Sequence, residues 1–293
     1  MKTKITWKGI LHAPFTRLII GIIVILTVML LGTQIPMRKL LTPLVGDSPL
    51  ISIIADLFIS CLLLLTYILL FKYYENRTIT ELSLKSFPRY ASLGFLVGFA
   101  IQALVIAVIY LFGGYKITEV NPISVLAIPF FSNITTGVWE EILFRGLIFR
   151  LVEEKLGTVI SLLISALLFG FAHAWNPGAT VFSSVAIALE AGILLGVCYV
   201  LTRNLWFPIF LHMAWNFTQG PIFGAEVSGT DMGYHLFSSE ITGPEWLTGG
   251  AFGPEAAVHT IIICLILAGV MYYKAQKGNK LIPYNMSSNN TIS

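Results

Sequence analysis

The chain has few charged side chains for its length. Of 293 residues, 11% are Asp, Glu, Lys or Arg, and 56% are hydrophobic. A soluble domain carries roughly a quarter charged residues, so this composition argues against a soluble fold. Several apolar runs reach about 18 residues, the length that a helix needs to cross a bilayer. The sequence therefore predicts an all-α, polytopic membrane protein built as a helical bundle.

Cysteine is also scarce, and several common site motifs are missing. The three cysteines (Cys61, Cys198 and Cys264) are far apart and show no CxxC spacing. This spacing argues against a disulfide framework and a cysteine zinc site. The chain contains no GxGxxG, P-loop, HExxH or GxSxG sequence. A dinucleotide site, a zincin site and a serine-hydrolase elbow are therefore not indicated.

Hydropathy and helix breakers predict about eight transmembrane helices. The expected spans are 18–31, 50–71, 91–112, 123–149, 158–175, 180–201, 205–218 and 256–273. Residues 1–121 would form an N-terminal membrane region with three spans. Residues 220–255 would be an acidic, glycine- and serine-rich extracytoplasmic loop, and residues 256–293 the last span with a polar cytoplasmic tail.

The distribution of lysine and arginine predicts the orientation. With eight spans, fourteen of the 18 basic residues fall on the side of the two termini, and three fall on the other side. Positive charge accumulates on the cytoplasmic side of membrane proteins, so both termini are expected in the cytoplasm. The net charge of +3 then reflects topology and does not indicate nucleic-acid binding.

Three ionisable residues in the fourth predicted span are costly at bilayer depth. Each of Glu140, Glu141 and Arg145 would cost roughly 2.5–3.5 kcal/mol unless it is paired or faces a polar cavity. Glu141 and Arg145 are four residues apart and can form an ion pair on one helix face. Glu140 points about 100° away from Glu141. We therefore expect one paired glutamate and one free glutamate that can act as a general base.

Two histidines and an asparagine enter other apolar spans. His173 follows Phe169 by four residues, and His212 precedes Asn216 by four, so each pair shares a helix face. A free glutamate with these groups could activate water and stabilise an oxyanion. Glu140, His173 and His212 could instead hold zinc, and spacing does not decide because they come from different helices.

The three motifs in this order, EExxxR, FxxxH and HxxxN, resemble the CPBP family, also called the Abi or CAAX-protease-like family of intramembrane proteases. The resemblance covers about residues 122–219, which would be the catalytic core. It implies a helical bundle around a conical cavity. Glu140 would be the general base, His173 would hold the attacking water, and His212 and Asn216 would form the oxyanion site. Glu141 and Arg145 would brace the base, with Phe169 in support.

The same resemblance implies a membrane peptide or protein substrate. Family members are labelled metalloproteases and are also described as glutamate-dependent without a catalytic metal, and we expect hydrolysis without a metal cofactor and no nucleic-acid partner. The expected location is a plasma membrane, most simply that of a bacterium. Hydropathy places Glu140 toward the cytoplasmic half of its span and His173 near the outer end of the next. The substrate and the oligomeric state are not readable from the sequence.

Two other functions remain open at this point. A proton-coupled transporter could use Glu140, Glu190, Asp56 and the histidines as a relay, although no repeated halves are visible. A catalytically silent bacteriocin-immunity or scaffold protein would have the same fold without using the motif residues.

Overall fold

The structure is a computed structural model that describes residues 11–284, and it is a bundle of helices. The helices are α1 (Pro14–Thr33), α2 (Met37–Val45), α3 (Leu50–Tyr74), α4 (Phe87–Leu111), α5 (Ala127–Glu141), α6 (Arg150–Ala172), α7 (Val181–Ile187), α8 (Ile193–Thr202), α9 (Trp206–Phe217), α10 (Glu245–Thr248) and α11 (Val258–Lys277). Short 3₁₀ turns cover Ile123–Leu126, Gly250–Phe252 and Pro254–Ala256. Two strands, β1 (Tyr115–Val120) and β2 (Phe237–Ile241), complete the described elements. The prediction of a helical membrane bundle is confirmed.

Six helical runs in residues 11–284 are long and apolar enough to cross a membrane. One of them, Ile123–Ala172, has 50 residues, about twice the length that a crossing requires. Gly157 interrupts this run with a φ of 74°, a conformation that glycine adopts without strain. Helix α9 has only 12 residues. The count of about eight spans and the orientation of the termini therefore stay predictions.

Within residues 11–284, three segments of π-helix interrupt the bundle. They are Ile142–Phe149 between α5 and α6, Ala188–Gly192 between α7 and α8, and Thr218–Ile222 after α9. A π-turn inserts an extra residue per turn and so rotates the side chains that follow it. Nothing in the apolar pattern of the sequence indicated these segments.

Helices α5 and α9 approach each other closely at Gly137. A Cβ atom at Gly137 would lie 2.6 Å from the carbonyl oxygen of Ile209 and 3.4 Å from Cβ of Met213. Only glycine therefore permits this approach of the two helices. The consequence is that the residues one turn beyond Gly137 reach the same depth as those one turn along α9.

The segment predicted as an acidic loop is folded. Strand β2 lies within it and pairs antiparallel with β1, with Tyr115 opposite Ile241 and Val120 opposite Phe237. The segment continues through α10 and the two 3₁₀ turns into α11. The polar tail beyond residue 284 lies outside the described residues.

An ion cluster lies at the end of α3. Glu75 accepts hydrogen bonds from Arg17 (3.0 Å) and from both terminal nitrogens of Arg150 (2.9 and 3.0 Å). Burial would raise the pKa of Glu75, but the hydrogen bonds and charges of the two arginines outweigh it and hold the pKa below its usual value. The cluster ties α1, α3 and α6 together.

Candidate active site

Residues from three separate helical regions line one cavity of about 210 Å³. Glu140 comes from the last turn of α5, and His173 from the C-terminal end of α6. His212 and Asn216 come from successive turns of α9. Phe169 lies between them in the cavity wall. The structure thus brings together Glu140 and His173, which hydropathy had placed at different depths.

The second glutamate of the motif forms the expected ion pair. Glu141 Oε1 accepts a 2.7 Å hydrogen bond from Nη1 of Arg145, and both side chains are fully buried. Nη2 of Arg145 donates to the carbonyls of Ala191 and Gly192, both at 3.1 Å. These carbonyls belong to the π-helical segment between α7 and α8. The arginine is therefore a fixed structural link between two helical regions.

The same carboxylate also orients His212. Its Oε1 lies 3.0 Å from Nδ1 of the imidazole. Because an ionised carboxylate can only accept, Nδ1 must carry a proton. The other ring nitrogen, Nε2, faces the cavity and lies 3.9 Å from Oε2 of Glu140. Glu141 thus fixes both the tautomer and the direction of the ring.

Glu140 is the free acid of the pair. It is 8% exposed, and its Oε2 atom has no hydrogen-bond partner among the described residues. An unpartnered buried carboxylate oxygen is costly to a fold and is common where a group must react. The distance of 3.9 Å to His212 is too long for a direct hydrogen bond but suits a bridging water.

His173 is oriented by its own helix. Its Nδ1 lies 2.8 Å from the carbonyl oxygen of Phe169. A carbonyl can only accept, so Nδ1 is the protonated nitrogen and Nε2 is left as an acceptor. The ring also packs on Phe169 at a centroid distance of 4.8 Å, and Phe169 in turn contacts Arg145, whose guanidinium carbon lies 4.6 Å from the ring centre.

The cavity has a further wall that the sequence did not predict. Val227, Ser228, Thr230, Met232 and Glu255 line it, and all five lie in the segment expected to be a loop. Their spacing follows no periodic pattern, so no signal in the sequence pointed to them. Thr136 and Asn133 of α5 also line the cavity, and they lie one and two helical turns before Glu140 on the same face.

No group of three or more His, Cys, Asp or Glu side chains within residues 11–284 is arranged to hold a metal ion. Glu140, His173 and His212 nevertheless line the same cavity. Metal independence of the reaction stays a prediction that a chelator experiment can test.

Comparison with known proteins supports the resemblance seen in the motifs. Residues 121–218 match the family described as "Type II CAAX prenyl endopeptidase Rce1-like". The chain is 28% identical over 176 residues to the "Putative membrane peptidase YdiL" of Bacillus subtilis, covering 54% of this chain and 66% of that protein. It is 30% identical over 159 residues to the "Membrane-embedded CAAX protease MroQ" of Staphylococcus aureus, covering 48% and 62%. No solved structure matches.

The chain thus spans just under two thirds of the length of these curated relatives. The predicted resemblance is nevertheless confirmed, because the family match contains all three motifs and both relatives are named as membrane peptidases or proteases. The cavity wall formed by residues 227–255 lies outside the matched segment.

Proposed function

We propose that the chain is a membrane protease of the CPBP, or CAAX-protease-type, family, and that it is an intramembrane endopeptidase that uses Glu140 to activate water. The observation that carries the proposal is the free Oε2 atom of Glu140, buried at 3.9 Å from the oriented ring of His212. The proposed substrate is a membrane-associated or lipidated peptide.

Glu140 is the proposed general base. A water at about 2.8 Å from both Oε2 of Glu140 and Nε2 of His212 would form ordinary hydrogen bonds to each. Nε2 of His173, left as an acceptor by the Phe169 bond, can hold the same water from the other side. Glu140 takes a proton from the water while its oxygen attacks the peptide carbonyl carbon.

His212 and Asn216 are the proposed donors to the oxyanion that this attack creates. The amide of Asn216 supplies one donor. Nε2 of His212 supplies the second when the ring carries both protons, and the charge of Glu141 at Nδ1 balances the positive ring. Protonated Glu140 then gives its proton to the amide nitrogen as the C–N bond breaks. The products are a new carboxyl terminus and a new amino terminus.

Glu141 and Arg145 act on this chemistry through His212. Their buried ion pair holds Oε1 of Glu141 at the ring, and Arg145 is itself held by two backbone carbonyls. We propose that this brace keeps Nε2 of His212 directed at the reacting atoms. The proposed location is a bacterial plasma membrane, with both termini in the cytoplasm.

The test is hydrolysis of a panel of apolar peptides by the purified full-length protein in lipid vesicles, measured by mass spectrometry. Wild-type protein should cleave internal bonds, and Glu140→Gln should lower the rate by about 10²–10⁴-fold. Glu119→Gln, the same change at an exposed acid on β1, is the matched control and should retain full activity. Equal cleavage by Glu140→Gln and wild type would refute the proposal.

A further inference from the structure

The part of the cavity wall that follows the family-matched segment is a tight turn. Val227 and Thr230 face each other in an antiparallel bridge, with hydrogen bonds of 2.9 and 3.0 Å between their backbones. Ser228 and Gly229 at the tip both have positive φ angles, 49° and 79°. We call residues 227–232 the cavity turn, because Val227, Ser228, Thr230 and Met232 all line the cavity of Glu140.

A buried carboxylate fixes this turn to the helix that carries His212 and Asn216. Glu255 is 3% exposed and accepts hydrogen bonds from the backbone nitrogen and the hydroxyl of Ser228, at 2.5 and 2.8 Å. Its other oxygen accepts a 2.9 Å bond from Nε1 of Trp215, the residue before Asn216. Both oxygens of Glu255 are therefore occupied in holding the turn against α9.

The cavity turn is also attached to the element that carries His173. The carbonyl of Ser228 accepts a 3.0 Å bond from Nδ2 of Asn176, and the backbone nitrogen of Asn176 bonds to the carbonyl of His173 at 3.1 Å. A Cβ atom at Gly229 would collide with the carbonyl of Pro177. The turn thus has a fixed position relative to both histidines.

The size of the cavity limits what can lie against this turn. About 210 Å³ is the volume of roughly seven water molecules. A scissile peptide group must occupy part of it, so little space is left beside the cavity turn. The lining contains two carboxyl groups, Glu140 and Glu255, and no lysine or arginine. A negatively charged side chain would therefore lie near Glu140 and Glu255 and would meet no lysine or arginine in the cavity.

We propose that the cavity turn determines which substrate side chain is accepted beside the scissile bond, and that Glu255 is the positioning residue that holds the turn in place. The accepted side chain is small and uncharged, and Met232 and Thr230 form the surface that excludes larger ones. This inference rests on the proposed peptidase function and adds a substrate preference to it.

The test uses peptides that differ only in the side chain beside the cleaved bond: Ala, Val, Leu, Phe or Glu. Wild-type protein should cleave the Ala peptide with the highest kcat/KM. Met232→Ala should raise kcat/KM for the Leu peptide about tenfold relative to the Ala peptide, since one methylene in an apolar pocket changes selectivity by about 10–200-fold. Glu255→Gln should weaken the Ala-over-Leu preference about tenfold, because the single amide oxygen can accept from Ser228 or from Trp215 but not from both.

Tyr234→Ala is the matched control, because Tyr234 is 46% exposed and does not line the cavity. It should leave the ranking of peptides unchanged. If Glu255 were only a structural residue, Glu255→Gln would reduce the amount of active protein and leave the ranking intact. An unchanged ranking in both Met232→Ala and Glu255→Gln would overturn the proposal.

A second measurement separates this proposal from the peptidase function itself. An apolar peptide that carries alanine beside the scissile bond and photo-leucine at the next position is irradiated with the Glu140→Gln protein, and the attachment site is mapped by mass spectrometry. Attachment within residues 227–232 supports the cavity turn as a binding surface even if no peptide is hydrolysed by wild type. Attachment only to other segments overturns it even if hydrolysis is observed.

Discussion

The two adjacent glutamates should respond in opposite ways to the same substitution. Glu141→Gln keeps the shape of the side chain but removes the charge opposite Arg145, which is fully buried. Removing one partner of a buried ion pair typically costs about 3–5 kcal/mol, because the other charge is left uncompensated. The hydrogen bonds from Arg145 to Ala191 and Gly192 reduce this cost but do not neutralise the guanidinium. We therefore expect the free energy of unfolding of Glu141→Gln to be about 3 kcal/mol lower than that of the wild-type protein.

Glu140→Gln removes a buried carboxylate oxygen that has no hydrogen-bond partner. A neutral amide is cheaper to bury than an ionised carboxylate, so stability should equal that of wild type or exceed it by about 1–2 kcal/mol. Activity should nevertheless fall by about 10²–10⁴-fold, because the general base is gone. Residues that a protein needs for its activity commonly lower the stability of its fold.

The assay is equilibrium unfolding in mixed detergent micelles, followed by circular dichroism, beside the peptide hydrolysis rate of each variant. The expected order of stability is Glu140→Gln at or above wild type, then Glu141→Gln well below it. A Glu140→Gln protein as destabilised as Glu141→Gln would show that Glu140 is a structural residue. The assignment of Glu140 as the free acid and Glu141 as the paired one would then be wrong.

Three further outcomes follow from particular contacts. Glu75→Gln should lower the free energy of unfolding by about 2 kcal/mol at pH 7. Because Arg150 lowers the pKa of Glu75, the stability of the wild-type protein should fall as the pH drops below about 4.5 and through the folded pKa. The variant should not show this loss. Gly137→Ala should separate α5 from α9, because the added Cβ would lie 2.6 Å from the carbonyl oxygen of Ile209, and should lower activity at least tenfold. Gly269→Ala, where nothing lies within 4 Å, should leave activity unchanged. Treatment of the purified protein with a strong chelator should leave the rate of peptide hydrolysis unchanged, and a loss restored by zinc would refute metal independence.

Local sequence rules were sufficient for the helical fold class and for one ion pair. Long apolar runs predicted the membrane helices, because length and hydropathy alone determine whether a helix can cross a bilayer. The spacing of Glu141 and Arg145 predicted their pairing, because residues four apart share a helix face. The same rule placed His212 and Asn216 on one side of α9.

The rest of the site depends on contacts that no local pattern contains. The position of His212 relative to Glu140 results from the close approach of α5 and α9 at Gly137. The hydrogen bond from His212 to Glu141 joins residues 71 positions apart. The cavity turn has the composition of an exposed loop, and Glu255 reaches the cavity only because the chain returns there from β2. These features require the tertiary structure.

The most direct measurement of the central claim is the entry of ¹⁸O from labelled water into the new carboxyl terminus during a single turnover, with hydroxylamine present. If Glu140 activates water for direct attack, wild-type product gains one ¹⁸O atom and forms no hydroxamate, and Glu140→Gln slows this labelling at least 100-fold. Hydroxamate formation would reveal a covalent acyl-enzyme, and labelling by Glu140→Gln at the wild-type rate would show that another group activates the water. Either result would contradict the account.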